Sequence, residues 1–183
     1  FTAVAVAGYL VLAALAIGLG FLLVDVLLPA GLQSPDEHVN RWLAAHRDGT
    51  LNDASYVGSS IGDIPAIPGL VALGVIVAAL KRAWRVAGFV LGAILVEVAT
   101  YRIASLVVHR ERPEVPRLDR LPVDQSYPSG HVAASVVVYV GIALLLTSRW
   151  RGARWLPLAW ALAIALPVVV ALSRMYRGMH HPA

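Results

Sequence analysis

From Ala3 to Val24 the chain runs without a charged side chain. At ~1.5 Å of rise per residue, such a run crosses the ~30 Å hydrocarbon core of a bilayer as a helix. In lipid the backbone must satisfy its own hydrogen bonds, so a helix is the structure open to a run of this kind. Ile64–Leu80, Val86–Val108, Val132–Ser148 and Trp155–Ser173 repeat the pattern, the first of these being short. The whole chain is 58% hydrophobic and 14% charged, against ~25% charged residues in an ordinary soluble domain. The expectation is all-α: a multi-pass transmembrane helical bundle of five spans, in one membrane-embedded domain over residues 1–183. The first run is too long for a signal peptide and lacks a charged leading region. The abrupt ending "HHPA" reads as that of a fragment of a longer protein. With no cysteine, disulfides and thiol catalysis are excluded.

The net charge is +4. In a soluble protein that sign invites nucleic acid, but here the arginines flank apolar spans, where they set topology or meet lipid head groups. No nucleic-acid partner is expected. The connections "KRAWR" (Lys81–Arg85) and "RWRGAR" (Arg149–Arg154) are basic without any acid, which places them in the cytoplasm. The loop from His109 to Gly130 and the C-terminal "SRMYRGMHH" then face outward. Arg41, Arg47, Arg110, Arg112, Arg117, Arg120, Arg174 and Arg177 lie at that outer end and outnumber the inner basic residues. The orientation therefore holds only if several of them serve a site.

Between the first two spans the text changes character. In "SPDEHVNRWLAAHRDG", Ser34 reads as an N-cap, Pro35 as the first helical residue and Glu37 as its capping-box partner. Val39, Trp42 and Leu43 fall on one helical face. A short amphipathic helix at the membrane surface is expected, followed by a second beginning near Thr50.

Chemistry concentrates in three stretches. In "YPSGHVAAS", Pro128 and Gly130 form a turn that opens a helix, so the amides of Ser129, Gly130 and His131 are orphan donors suited to an anion. Ser129 adds a hydroxyl, and His131 a proton exchangeable near neutral pH. In "HRERPEVPR", Pro113 pushes Arg112 out of helical geometry, and its guanidinium fork matches phosphate oxygens. In "SRMYRGMHH", Arg174 and His180 are separated by five residues. All three stretches fall at the same end of the spans. Two arginines, a helix N-terminus and two histidines suit a phosphorylated group, with one histidine attacking phosphorus and the other protonating the leaving oxygen.

Arg112-Pro113, then Pro128-Ser129-Gly130-His131, then Ser173-Arg174 with His180, resembles the three-part signature of the type-2 phosphatidic acid phosphatase superfamily. The match covers residues 105–183. The resemblance implies a six-helix membrane phosphatase that acts without metal or other cofactor on lipid phosphates, through a phosphohistidine. Carried over by position, His180 is the nucleophile and His131 the general acid, while Arg112, Arg174, Ser129 and the Gly130 amide bind phosphate. The substrate class is polyprenyl diphosphate, phosphatidate or phosphatidylglycerophosphate, met at the extracytoplasmic face of the cell membrane.

Two positions depart from the family pattern. Its first motif opens with a lysine where this chain has Ser105. Arg102, one turn earlier on nearly the same face, is the expected replacement, with His109 or Arg110 as further candidates. The family's nucleophile-orienting aspartate falls beyond Ala183. Glu97 and Arg102 are intramembrane charges and functional candidates on that ground, though their spacing does not suit a same-face pair. His38, His46 and His181 carry no assigned role, and no zinc site is expected of His131, His180 and His181, which have no carboxylate or thiolate at ligand spacing. Two other classes of function compete: a non-catalytic lipid-phosphate binder, for which Ser105 argues, and a small transporter using Glu97 and Arg102.

Overall fold

In the computed structural model, which describes residues 2–63, 65–120 and 125–183, every regular element is helical. In chain order these are α1 (Thr2–Phe21), a π-helical segment (Leu22–Leu32), α2 (Gln33–Ala45), α3 (Gly49–Ser60), α4 (Ala66–Leu80), α5 (Trp84–Val107), α6 (Gly130–Arg149) and α7 (Leu156–Tyr176). Four helical runs among the described residues are long and apolar enough to cross a membrane: Val6–Ala45, Trp84–Val107, Gly130–Arg149 and Leu156–Tyr176. The fifth expected span is α4, whose 15 residues rise ~22 Å, short of the ~30 Å core. Its expected first residue, Ile64, lies outside the described residues. Large apolar side chains along the long helices point outward, among them Leu10, Leu95, Leu106, Leu158 and Ile164. Lipid is the solvent that accepts such a surface, and the protein is a multi-pass membrane protein.

The chain divides into two compact units. The first comprises Phe1–Ser55, Ala99–Ser129 and Ser173–Ala183, and the second Tyr56–Val98 and Gly130–Leu172.

In the first unit α1 leads into the π-helical segment, which contains Pro29 and is kinked at a left-handed Gly31 (φ +122°) before α2 begins. The expected cap at Ser34 is not used. The residue preceding α2 is Leu32, in helical geometry, and the Gln33 N–H is taken by the Leu28 carbonyl. The preceding turn thus satisfies that first donor, and α2 carries no side-chain cap. The amphipathic helix does form, but its buried residues are Asp36 and Asn40, while Val39 and Trp42 are exposed. α3 begins at Gly49, as the sequence suggests, with Asp48 accepting from Leu51 N at 2.8 Å. In the second unit α4 packs on α6, and the Tyr139 hydroxyl donates to the Ile61 carbonyl at 2.6 Å.

The end of α7 is built with care. Gly178 N–H bonds to Met175 O at 2.9 Å and Met179 N–H to Arg174 O at 2.9 Å, the paired bonds of a Schellman termination. Gly178 takes φ +71°, and Met179 is fully buried. The exposed carbonyl of Tyr176 receives Arg47 Nε and Nη2 at 3.1 and 2.8 Å. The chain therefore leaves α7 in one defined direction, with His180 next. A Cβ at Gly178 would stand 2.9 Å from Val115 Cγ2 and 3.0 Å from Pro116 O. Gly178→Ala should thus cost ~1–2 kcal/mol for the left-handed backbone alone, at ~2–4 °C of melting temperature per kcal/mol. Thermal unfolding of the detergent-purified protein checks this, with Gly141→Ala, mid-helix where a Cβ meets nothing within 4 Å, as the control that should lose no stability.

Candidate active site

The first unit brings together the first stretch, the third stretch and the approach to the second as far as Ser129. Arg112, buried, donates through Nη1 to the Met179 carbonyl, beside His180. The Arg110 backbone accepts Ser126 N at 2.8 Å and donates to Gln125 Oε1 at 3.2 Å, which draws the approach to Pro128 alongside the first stretch. His180 Nδ1 lies 2.7 Å from the Ser126 carbonyl. A carbonyl only accepts, so Nδ1 carries the proton and, in the neutral ring, Nε2 carries the lone pair. Ser129 Oγ is buried without a hydrogen-bond partner among the described residues. The Tyr127 hydroxyl donates to Ala16 O at 2.7 Å, fixing the loop to α1, and burial pushes that phenol above its ordinary pKa.

Arg174 is almost wholly enclosed, at 1% exposure, and its Nη1 donates to Asp119 Oδ2 at 2.9 Å. Arg177, also buried, meets the same carboxylate. Asp119 was not singled out in the sequence, and Arg177 appeared there only among the outer arginines; the one acid among the arginines of "RLDRL" was the available signal.

A second group of polar side chains ties α2 to the C-terminal segment. Asp36 pairs with Arg110 and accepts Ala183 N at 3.0 Å. Burial draws the Arg110 guanidinium below its ordinary pKa, and the Asp36 carboxylate opposes that pull. Asn40 Nδ2 stands 3.2 Å from His181 Nδ1, and His181 Nε2 lies 3.3 Å from Glu111 O. Burial first, then the charge of Arg110, lowers the His181 pKa against Asp36, Glu37 and the Glu111 carbonyl, and the ring is held at both nitrogens. His181, given no role from sequence, thus anchors the residue after His180. Asp36 and Asn40 escaped notice because the eye follows the apolar stripe of α2.

In the second unit Gly130 is the first residue of α6, and His131 follows it into the helix. His131 Nε2 lies 3.1 Å from Asp63 Oδ1. Asp63 arrives there through the tight turn ending α3, where a Cβ on Gly62 would sit 2.7 Å from Val170 Cγ1 and 3.2 Å from His131 O. Glu97 is buried in this unit. Arg102, in the first unit, lies on the exposed side of α5, whereas Ser105 is buried with its hydroxyl donating to Arg102 O at 3.1 Å.

Among curated proteins, an undecaprenyl-diphosphatase of Sulfolobus acidocaldarius is 38% identical over 97 residues, 53% of this chain and 43% of that protein. The chain thus matches less than half the length of that relative. The crystal structure of a transmembrane PAP2-type phosphatidylglycerolphosphate phosphatase from Bacillus subtilis superposes with a TM-score of 0.74 at 22% identity. That superposition covers 98% of this chain and 84% of the other, and at this identity it speaks for the fold. Residues 83–183, which hold Arg112, Ser129, Gly130, His131, Arg174 and His180, match the PAP2 superfamily, and over more than half its length the chain belongs to that family.

Proposed function

We propose that the protein is a membrane-embedded lipid phosphatase whose residues 1–183 act as one catalytic domain, hydrolysing a phosphomonoester or diphosphate through a phosphohistidine. The observation that carries this reading is the pairing of His180 Nδ1 with the Ser126 carbonyl, which gives Nε2 the lone pair. His180 Nε2 attacks phosphorus, and the bond to the leaving oxygen breaks as His131 delivers a proton to it. Water then releases phosphate from His180. Arg112 and Arg174, with the Ser129 hydroxyl and the Gly130 amide, hold the phosphate oxygens, on which charge spreads during transfer. Asp63 beside His131 suits this assignment, because a carboxylate stabilises the protonated ring that a general acid needs. The reaction in this form asks for no metal or other cofactor. Polyprenyl diphosphate is the substrate to assay first, since the 38%-identical relative is named for such a diphosphatase; phosphatidate and phosphatidylglycerophosphate follow.

His180→Ala should abolish phosphate release by the purified full-length protein. Continued lipid retention without turnover in the parent would favour the non-catalytic binder instead. General acid catalysis is typically worth ~10²–10⁴-fold. His131→Ala should therefore cost a lipid substrate that much and a nitrophenyl phosphate, with its better leaving group, far less. Equal losses on both would assign His131 to phosphate binding.

Arg102 is the proposed third cation in place of the family lysine. Its long side chain on α5 can snorkel toward head-group level, while Arg110 is committed to Asp36. Arg102→Ala should lower the rate, and Ser105→Lys should restore part of it. A parental rate in Arg102→Ala would remove that role.

The site is proposed to face away from the cytoplasm. The chain has no native cysteine, so Arg120→Cys and Arg151→Cys are clean labelling positions. Arg120→Cys should react with an impermeant thiol reagent in intact cells and Arg151→Cys only after permeabilisation; the reverse pattern would put the chemistry inside.

A further inference from the structure

Arg174, in the last turn of α7, and Arg177, just past its end, share one carboxylate. Asp119 Oδ2 accepts Arg174 Nη1 at 2.9 Å and Arg177 Nε at 2.8 Å, and Oδ1 accepts Arg177 Nη2 at 2.5 Å. The contacts are unequal. Arg177 grips Asp119 by the two-point fork that suits guanidinium to carboxylate, whereas Arg174 reaches it through one nitrogen.

Arg177 is itself anchored. Its Nη1 donates to Ser55 Oγ at 3.2 Å and to Asn52 O at 3.3 Å on α3, and its carbonyl accepts Leu118 N at 3.1 Å. The loop bearing Asp119 is therefore fastened to Arg177 by main chain and side chain together. Asp119 takes its place from Arg177, and Arg174 takes its orientation from Asp119.

We propose that Asp119, seated in the fork of Arg177, is the positioning residue that fixes the Arg174 guanidinium for the substrate phosphate. This rests on the reading of Arg174 as a phosphate ligand. Asp119 touches no reacting atom in this scheme. Its effect is preorganisation: a long side chain held in one rotamer spends no reorganisation when charge develops on the phosphoryl oxygens. Arg177 serves through Asp119, which explains why a second buried arginine stands three residues after the first at the membrane surface.

The test uses the full-length protein in detergent, with lipid phosphate hydrolysis, inhibition by inorganic phosphate and thermal unfolding measured on each variant. Asp119→Asn keeps the size of the side chain and loses the charge. It should lower kcat/KM by roughly 10²-fold, the scale of a misplaced catalytic contact, and should weaken inhibition by phosphate. Asp119→Glu should recover part of both. In an Arg174→Ala background, Asp119→Asn should add little further loss, because the group it positions is gone. A fall in melting temperature with kcat/KM and phosphate inhibition unchanged would reduce Asp119 to a structural role and overturn the proposal. Tighter inhibition by phosphate in Asp119→Asn would overturn it differently, showing that the carboxylate competes for Arg174. Multiplying losses in the double variant would also sink it. Failure of the underlying reading is separately visible: Arg174→Ala alone would then keep the parental rate and phosphate inhibition, whatever Asp119→Asn does.

Discussion

Keeping guanidinium groups buried at a membrane face is the constraint on which the candidate site depends. Arg110, Arg112, Arg174 and Arg177 are all buried in one unit. A buried charge is tolerated when it is paired and hydrogen-bonded, and is costly otherwise. Asp36 answers Arg110, and Asp119 answers Arg174 and Arg177 together. Arg112 donates through Nη1 to the Met179 carbonyl. Arginine suits such positions because it stays protonated where a buried lysine would shed its proton. The loop between α5 and α6 and the segment after α7 take their shape from these pairings.

The same constraint explains the inverted face of α2. At a water interface an apolar stripe turns inward, and the sequence of α2 carries such a stripe in Val39, Trp42 and Leu43. Here Asp36 and Asn40 turn inward, because the interior they face is made of Arg110, His181 and the chain around Ala183. Trp42 stays outside, stacked with its rings 4.4 Å from His46. An amphipathic pattern gives the existence of two faces. Which face is buried depends on whether the neighbours are apolar side chains or ions.

What was legible in the sequence follows from the range of each signal. The spans were readable because lipid imposes one rule on every residue of a long run. Arg112, Ser129, Gly130, His131, Arg174 and His180 could be singled out as candidates because each motif is short and contiguous or closely spaced. Asp36, Asp63 and Asp119 were not, because each acts on a residue far along the chain: 74 positions separate Asp36 from Arg110, and 58 separate Asp119 from Arg177. A lone aspartate in a loop looks the same whether it faces water or a buried guanidinium. The cap at Ser34 misled for a related reason. Its local pattern is sound, but the helix before it had already supplied the bonds.

The orientation of His180 shows how the fold and the chemistry meet. A nucleophilic imidazole needs its proton held on the far nitrogen, and a hydrogen bond to Nδ1 fixes both tautomer and ring direction. The Ser126 carbonyl supplies that bond from main chain. Its own place is set by Ser126 N pairing with Arg110 O, and Arg110 is set in turn by Asp36 of α2. On the other side, the Gly178 turn and the buried Met179 deliver the His180 backbone. The proposed nucleophile is thus held by a chain of contacts that starts at α2 and by a helix termination that needs one glycine. Each link is an ordinary interaction. Their joint effect is to fix which nitrogen of the His180 ring carries the lone pair.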